Sequence, residues 1–461
     1  MRGISCMVLC AAIASGCNRA SSREECAPAV QPAPDNLSAR PLGVRGVELG
    51  WRDRSENLAW FAVERRDPDR EEFARVGLRP PGVTTWEDWG LEPDSTYRYR
   101  VRAVSEGGAS PPSDPIDVQT LPTRVPEPRV EVFDASAVSP GVTLFNVEDY
   151  HDVASVAVVM AVDEAGQVVW HLEHTGQFVS ETDVFPGGDI LAQVGPVFSR
   201  IDRKGDLVDY MEEHFLHHDV DVLPWGNLLA ITSKEHRGPY PLPEKIRLTD
   251  FYSRDDIIEI DPETGEIVWR IAFDGYIGTD EICPACIHVE VVGGRDWIHL
   301  NALDYDLEEE ALYVSVRNLN RIYKLGYPEG DVEWIMGDGG DFGEGLFTHQ
   351  HNPYRIAPGR MILFDNGLHP DPFEPDRSRV IEIEYDPEAR EARIVWEYSG
   401  PPAFYSEAQG DASLLANGNI LVVDSAGPRI VEITREGLPV WELTMPKPYV
   451  FYKAHRIENF P

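Results

Sequence analysis

The sequence is poor in basic residues, in cysteine and in long apolar runs. Only 41 lysine and arginine residues stand against 79 aspartate and glutamate residues, which gives a formal net charge of −38. So acidic a chain repels phosphate backbones and anionic membrane surfaces, and we therefore expect no nucleic-acid partner. No segment reaches the roughly 18 apolar residues of a transmembrane helix, so the sequence predicts none. Hydrophobic residues nevertheless make up 42% of the chain, which is enough for a packed core.

Three of the six cysteines lie at the N-terminus, where residues 1–16 have the pattern of an export signal. Arg2 precedes an apolar run at residues 4–13, which is too short to span a membrane. Residues 14–17, Ala-Ser-Gly-Cys, resemble a bacterial lipobox, so we expect cleavage before Cys17 and attachment of lipid to it. The sequence thus predicts an exported lipoprotein, periplasmic or at the cell surface, with plain secretion as the alternative.

Cys283 and Cys286 form the one close cysteine pair outside the N-terminal region. With His288 nearby they would suit zinc, but a single Cys-x-x-Cys without a second pair is weak support for a metal site. In an exported protein a local disulfide is favoured. We therefore expect a disulfide between them and no metal.

Residues 38–121 predict a β-sandwich that follows a Ser-, Ala- and Pro-rich linker at residues 17–37. Short strands with partial apolar alternation are joined there by Gly, Pro and Asp turns. The segment resembles a fibronectin type III domain, which implies that Trp51 is the core tryptophan and Tyr97 the corner tyrosine. Residues 122–140 carry several prolines and are interpreted as a connector.

Residues 141–461 contain a repeated pattern of strands. A glycine turn or its equivalent precedes an aromatic-ended strand at residues 166–170, 265–269, 330–334, 392–396 and 437–441, with a weaker copy at 205–210. A four-stranded unit that recurs about every 40 residues is typical of a β-propeller blade. Six copies predict six blades. We interpret the repeated aromatic residues as core between blades rather than as chemistry.

Polar runs interrupt these strands, and a propeller brings equivalent positions of its blades together at a central channel. The runs are His217-His218-Asp219, Asp296-Trp297-Ile298-His299-Leu300-Asn301, Arg317-Asn318 and Gln350-His351-Asn352. Buried strands rarely hold such residues unless the polar groups meet a partner or a substrate. We therefore expect the side chains to converge on one site.

In their order along the chain, these motifs resemble the bacterial arylsulfate sulfotransferases. The resemblance covers roughly residues 141–457 and implies an exported six-bladed propeller. It also implies transfer of a sulfuryl group from a phenolic sulfate ester to a phenol, without a nucleotide sulfate donor, a metal or another cofactor. The small-molecule partners would be the phenolic donor and the phenolic acceptor.

The resemblance assigns a role to each of five residues. His351 matches the nucleophile, which would form a transient sulfohistidine. His299 and Asn301 match the charge-stabilising and acid–base pair, and Arg317 matches the arginine that binds the sulfuryl group. His218 matches a histidine from an earlier blade.

Three points stay open at this stage. In an extended segment neighbouring side chains point to opposite faces, so only one of His217 and His218 should face the channel. By the same rule, His349 and His351 are two residues apart and share a face. Either histidine could therefore be the nucleophile. Asn366 either lines the channel or belongs to an Asn-Gly turn.

The alternative function is a propeller that binds a ligand or a glycan without catalysis, with the fibronectin-like domain as an adhesive arm. A lyase- or quinoprotein-type propeller enzyme is the third reading. A binding propeller does not need a nucleophilic histidine. A lyase- or quinoprotein-type enzyme needs a metal cluster or a cofactor bound between tryptophans. The sequence therefore favours the sulfotransferase.

Overall fold

The computed structural model describes most of the chain from residue 30 onward. The described residues are 30–56, 58–105, 107–149, 156–175, 182–185, 188–194, 197–202, 204–205, 207–211, 216–237, 251–278, 281, 290–291, 294–296, 298–367, 377–458 and 460. The predicted export signal, Cys17, Cys283 and Cys286 lie outside them. The described secondary structure is strand, with two 3-10 helices at Phe273–Tyr276 and Arg317–Leu319. Within this part of the chain, no helix is long and apolar enough to cross a membrane.

The N-terminal strands form the two sheets of the predicted sandwich. They are β1 (Asp35–Leu42), β2 (Gly46–Arg52), β3 (Trp60–Arg66), β4 (Ala74–Arg79), β5 (Thr85–Trp89), β6 (Thr96–Ser105), β7 (Gly108–Ala109) and β8 (Ile116–Gln119). One sheet has the order β1-β2-β5, and the other has β4-β3-β6-β7 with β8 also paired to β6. Trp51 packs edge-on against Phe61, with ring centroids 5.3 Å apart. The hydroxyl of Tyr97 accepts a hydrogen bond from the amide of Glu92 at 2.9 Å, as expected of a corner tyrosine.

The remaining strands form six sheets. In chain order they are β9 (Arg129–Phe133), β10 (Val142–Asp149), β11 (Val156–Val162), β12 (Val168–Thr175), β13 (Thr182–Val184), β14 (Ile190–Val194), β15 (Val197–Ile201), β16 (Leu207–Met211), β17 (Leu216–Val222), β18 (Leu228–Arg237), β19 (Phe251–Ile260), β20 (Ile267–Ala272), β21 (Glu290–Val291), β22 (Gly294–Asp296), β23 (Leu300–Asp306), β24 (Ala311–Val316), β25 (Arg321–Gly326), β26 (Val332–Gly337), β27 (His351–Ala357), β28 (Arg360–Asp365), β29 (Arg379–Asp386), β30 (Glu391–Tyr398), β31 (Asp411–Leu414), β32 (Ile420–Asp424), β33 (Arg429–Ile433), β34 (Pro439–Thr444), β35 (Tyr449–Val450) and β36 (Ala454–Ile457).

Each sheet is built on an antiparallel meander of consecutive strands, to which some sheets add further strands, one of them, β22, parallel to its neighbour β19. The second to sixth sheets are β13–β16, β17–β20, β23–β26, β27–β30 and β31–β34, and β21 and β22 extend the third sheet beside β19. The first sheet combines β10–β12 with β35 and β36, both of which pair with β10. The start of the repeat region and the end of the chain therefore share one sheet. Six sheets of this kind confirm the predicted six-bladed β-propeller.

Apolar clusters lie between neighbouring sheets. Tyr323 and Phe273 belong to the cluster between the third and fourth sheets, and similar clusters join the fourth to the fifth and the fifth to the sixth. Further clusters join the first to the second and the second to the third. The last cluster packs Trp441 of the sixth sheet with Phe145 of the first. Each sheet thus buries both of its faces against its neighbours.

The repeated tryptophans anchor one sheet to the next, as the repeat pattern predicts. Trp269 donates its indole N–H to the carbonyl of Pro328 in the neighbouring sheet's last turn at 2.7 Å. Trp396 and Trp441 make the same bond to turn carbonyls of the sixth and first sheets, both at 2.8 Å. A polar group that ends a buried aromatic side chain is satisfied in this way. These aromatic residues are structural.

Two strands begin inside segments that the sequence leaves without structure. β1 starts within the predicted linker at residues 17–37. β9 lies inside the predicted connector at residues 122–140 and adds a fifth strand to the sixth sheet by pairing with β34. The sequence Arg-Val-Glu-Val-Phe of β9 does alternate, but an edge strand acquires its structure only from its partner.

Candidate active site

Three successive sheets carry the predicted site residues. His218 lies on β17, the first strand of the third sheet. His299 immediately precedes β23, and Arg317 begins the 3-10 helix that follows β24, so both come from the fourth sheet. His351 is the first residue of β27 in the fifth sheet. His299, Arg317 and His351 are no more than 8% exposed.

The structure brings four of the predicted residues together. The rings of His218 and His299 meet edge-to-face with centroids 4.5 Å apart. Burial lowers the pKa of His218 well below its ordinary value, and His299, His351 and Arg317 add to that shift. Burial likewise lowers the pKa of His351 well below its ordinary value, with Arg317 as the next cause. The rings of His218 and His351 are therefore uncharged near neutral pH, and Arg317 supplies the fixed positive charge.

Left-handed backbone conformations occur at three histidines of the site. The φ angles of His218, His299 and His349 are 63°, 56° and 54°. Non-glycine residues seldom adopt such angles, and when they do they often lie at functional sites. The alternation of faces expected for His217 and His218 does not apply, because His218 is not extended, although of the two it is His218 whose ring contacts His299. The Nδ1 atoms of His217 and His218 lie 2.5 Å apart instead.

A hydrogen bond defines the tautomer of His351. Its Nδ1 lies 2.6 Å from Oδ1 of Asn366. The amide nitrogen of Asn366 donates to the carbonyls of Ser406 and Gln409, both at 2.9 Å, so its oxygen must be the atom that faces His351. Nδ1 of His351 therefore carries the proton, and Nε2 carries the lone pair. Asn366 thus belongs to the site, which the sequence had left open.

Arg317 lies at the edge of a cavity of about 670 Å³. One of its terminal nitrogens donates to Oδ1 of Asn318 at 3.0 Å, and another approaches the carbonyl of Glu407 at 3.4 Å. The cavity is also lined by Tyr405, Ala408, Gln409, Ser425, Ala426, Lys447, Pro448, Tyr449 and Val450. An aromatic ring fits such a mixture of aromatic, aliphatic and polar groups beside a guanidinium.

Asn301 contacts the strand that carries His351. It is fully buried, and its amide nitrogen donates to the carbonyl of Gln350 at 2.8 Å. Gln350 in turn donates to Ser315 and to the carbonyl of Arg321. Asn301 therefore holds the start of β27 in place, while its role in stabilising charge stays a prediction.

His349 also lies within the field of Arg317. Burial, followed by Arg317 and His299, lowers the pKa of His349 to about 4. Its backbone amide donates to the side chain of Asn320 at 2.9 Å. Of the two histidines on this segment, His351 is the one whose ring bonds Asn366.

A second group behind His218 was not found from the sequence. His217, Ser233 and Asp255 are buried and hydrogen-bonded to one another. The sequence did contain an indication of this group. Asp255 and Asp256 directly precede the apolar residues Ile257 and Ile258 of β19, and buried carboxylates at such a position need polar partners. Among the described residues, no group of three or more His, Cys, Asp or Glu side chains has the arrangement of a metal site.

Comparison with known proteins identifies the class of the larger region. The family model for arylsulfotransferases (ASST) matches residues 130–439, and the model for the fibronectin type III domain matches residues 32–119. The chain therefore belongs to the arylsulfotransferase family and carries an N-terminal fibronectin type III domain.

Individual relatives are distant. The arylsulfate sulfotransferase AssT of Escherichia coli O6:H1 is 22% identical over 327 residues, which are 53% of this chain and 53% of that protein. The human neural cell adhesion molecule L1-like protein is 34% identical over 106 residues, or 21% of this chain and 8% of its own length. A crystal structure of a protein of unknown function from Bacteroides caccae covers 70% of this chain and all of its own, with 14% identity and a TM-score of 0.46. The chain thus spans about half the length of the curated sulfotransferase that it matches.

Proposed function

We propose that this protein is an aryl sulfotransferase that works through a sulfohistidine on His351, without a nucleotide donor, a metal or another cofactor. The observation that carries the proposal is the hydrogen bond from Nδ1 of His351 to Asn366. It leaves the lone pair on Nε2 of a neutral imidazole beside Arg317. A nucleophile and a fixed cation are the two groups that sulfuryl transfer needs most.

The first half-reaction transfers the sulfuryl group to the enzyme. Nε2 of His351 attacks the sulfur of an aryl sulfate, an N–S bond forms, and the S–O bond to the aryl group breaks. The leaving phenolate takes the electron pair of that bond. Arg317 neutralises charge on the sulfuryl oxygens, and His299 stands beside it as a further donor. The aryl group would occupy the cavity beside Arg317.

The second half-reaction transfers the group to the acceptor. The oxygen of a phenol attacks the sulfur, a new S–O bond forms, and the N–S bond breaks so that His351 recovers its lone pair. The phenol loses its proton to a nearby base. A phenolate leaving group is far more stable than an alkoxide, which favours aryl esters as donors.

We also propose that the protein is exported and tethered to a membrane through lipid on Cys17. The pattern of residues 1–17 supports this proposal. Membrane fractionation of the expressed protein tests it, with Cys17→Ala as the control. We expect the wild-type protein in the membrane fraction and the variant in the soluble fraction. Equal distribution of the two proteins would contradict the tether.

The activity is tested with purified full-length protein and 4-nitrophenyl sulfate. We expect release of nitrophenolate that increases with added phenol and persists in a chelator. Intact mass after donor alone should show a sulfuryl adduct. His351→Ala should lower the rate on the order of 10³-fold or more and abolish the adduct. His171→Ala, at another buried histidine, is the matched control and should retain activity.

Two results would contradict the proposal. A wild-type protein that is silent with a range of aryl sulfates would instead favour a propeller that binds ligands without catalysis. A sulfuryl adduct located on His349 by peptide mapping would show that His349, and not His351, is the nucleophile.

A further inference from the structure

A chain of hydrogen bonds links His218 to Asp255 on β19. Nδ1 of His218 lies 2.5 Å from Nδ1 of His217. Nε2 of His217 lies 2.7 Å from Oγ of Ser233 and 3.3 Å from Oδ1 of Asp255. Ser233 donates to Oδ1 of Asp255 at 2.5 Å. The four residues come from β17, β18 and β19, three neighbouring strands of the third sheet.

The position of Asp255 follows from sheet register and from its second oxygen. Ser233 and Asp255 are directly opposite each other in the pairing of β18 with β19. Oδ2 of Asp255 accepts a hydrogen bond from the amide of Leu300 at 3.0 Å, next to His299. Burial raises the pKa of Asp255, but its contact with His217 and the hydrogen bonds from Ser233 and Leu300 outweigh burial and leave it lowered. Asp255 is therefore ionised and accepts at both oxygens.

The direction of each bond follows from the ionised carboxylate. Asp255 has no proton to donate, so the single hydroxyl proton of Ser233 is used toward it. Oγ of Ser233 then accepts, and Nε2 of His217 is the donor. A neutral imidazole has one N–H, so Nδ1 of His217 carries a lone pair and accepts from Nδ1–H of His218. The lone pair of His218 is therefore on Nε2.

We propose that Asp255, Ser233 and His217 are positioning residues that hold His218 as the tautomer with a basic Nε2, and that this atom takes the proton of the acceptor phenol. The inference rests on the proposed function and names the base that its second half-reaction needs. The ring contact with His299 places His218 at the same site as Arg317 and His351.

The proposed step balances as follows. The phenol O–H bond breaks and its proton moves to Nε2 of His218. The phenol oxygen forms the new bond to sulfur while the N–S bond to His351 breaks. The resulting imidazolium is stabilised through His217 and Ser233 by the negative charge of Asp255. The proton then leaves to solvent or to the phenolate released in the next donor half-reaction.

The test separates the two half-reactions. Rapid mixing with 4-nitrophenyl sulfate alone measures sulfuryl transfer to the enzyme, because nitrophenolate is a good leaving group that needs no acid. A second mixing step with an acceptor measures transfer from the enzyme. Phenol, whose pKa is near the value of about 10 typical of a tyrosine side chain, needs a base. Pentafluorophenol is already ionised at the assay pH and does not.

Asp255→Asn is the decisive variant. The amide of Leu300 needs an acceptor, so the new side-chain oxygen faces Leu300 and its NH2 group faces Ser233. Every bond of the relay then reverses, and Nε2 of His218 receives the proton. We expect transfer to phenol to fall on the order of 10²–10³-fold. The donor half-reaction and transfer to pentafluorophenol should change only a few-fold.

Two further variants test whether a loss of activity comes from the relay or from misfolding. Ser233→Ala should have a smaller effect, on the order of tenfold, because Nε2 of His217 can bond Asp255 directly from 3.3 Å. Asp256→Asn is the matched control. It removes the neighbouring buried carboxylate, which pairs with Arg270 instead, and should leave both half-reactions intact.

Several outcomes would overturn the inference. An Asp255→Asn protein that transfers to phenol normally, or that loses both half-reactions equally, would contradict the relay. So would an equal loss with phenol and pentafluorophenol, or an equal effect of Asp256→Asn. A wild-type protein without a nitrophenolate burst would instead contradict the proposed function itself, so the two failures are distinguishable.

Discussion

At the scale of single residues, two buried acids have pKa shifts of opposite sign, although burial alone raises the pKa of both. Asp255 stays ionised because His217, Ser233 and the amide of Leu300 surround it. Glu148 has fewer partners, and burial raises its pKa to about 8 despite hydrogen bonds from Asn146 and Gln409. Glu148 is therefore protonated at neutral pH.

We expect Glu148→Gln to stabilise the protein more as pH rises. The folded pKa exceeds the ordinary value of 4.5, so the native state retains a proton that the unfolded state loses between pH 4.5 and about 8. The wild-type protein loses stability across that window by at most about 1.4 kcal/mol per pH unit, and glutamine does not. Urea denaturation of both proteins at pH 5 and pH 8 measures the difference.

The control for this prediction has the opposite sign. Hydrogen bonds from Lys324 and Tyr313 outweigh burial and hold the pKa of Glu309 below its ordinary value. Glu309→Gln should therefore lose stability relative to the wild-type protein as pH rises toward the unfolded pKa of 4.5, and the difference should then stay constant from pH 5 to pH 8. A stability gain of Glu148→Gln that is the same at pH 5 and pH 8 would show that Glu148 is ionised in the folded protein.

The sequence predicted the residues that meet at the site better than it predicted their orientation. His218, His299 and His351 lie on or just before the first strands of three successive sheets, and Arg317 follows the second strand of the fourth sheet, so a repeat count and a resemblance were enough to bring them together. The contact between the rings of His217 and His218 was not predictable, because the left-handed backbone of His218 ends the alternation of side chains between the two faces of the strand. The pairing of Ser233 with Asp255 depends on strand register, which local sequence does not determine.

At the scale of elements, the short helix that carries Arg317 ends at a residue with two functions. Asn320 has a left-handed φ of 53° and terminates the 3-10 helix. Its side-chain oxygen accepts from the amide of His349, and its nitrogen donates to Asp338 at 2.9 Å. One residue therefore joins the helix to the segment that leads into β27.

Replacement of Asn320 by glycine and by alanine separates these two functions. Both variants lose the side-chain bonds, but only alanine bears the steric cost of the left-handed conformation. We expect Asn320→Ala to be less stable than Asn320→Gly by roughly 1–2 kcal/mol, measured by urea denaturation. Equal stabilities would show that the helix end relaxes to another conformation once the side chain is gone.

Elements that repeat were predictable, and single edge strands were not. The glycine turn and the aromatic-ended strand recur in the blades, and their tryptophans bond the next sheet. β9 has no copy in the repeat and pairs with β34, far away in the chain, so nothing nearby in the sequence indicates it.

At the scale of the whole molecule, the end of the chain is held by polar groups as well as by apolar packing. Lys453 lies between β35 and β36 of the first sheet, and its ammonium group lies 2.6 Å from Oδ1 of Asp219 in the third sheet. Both side chains are buried. Burial raises the pKa of Asp221 well above its ordinary value, and Asp219 and Asp304 raise it further, so this region tolerates little additional negative charge.

We expect Lys453→Met to destabilise the protein by about 3–5 kcal/mol, because it leaves Asp219 buried without its cation. Asp219→Asn alone should also destabilise, and the double variant should lose less than the sum of the two. Because every sheet shares its core with both neighbours, the loss should appear as a shift of one unfolding transition of the propeller. Thermal unfolding followed by calorimetry measures the cycle. Additive effects would mean that the two charges do not depend on each other, and a separate early transition would mean that the first sheet can detach while the others remain folded.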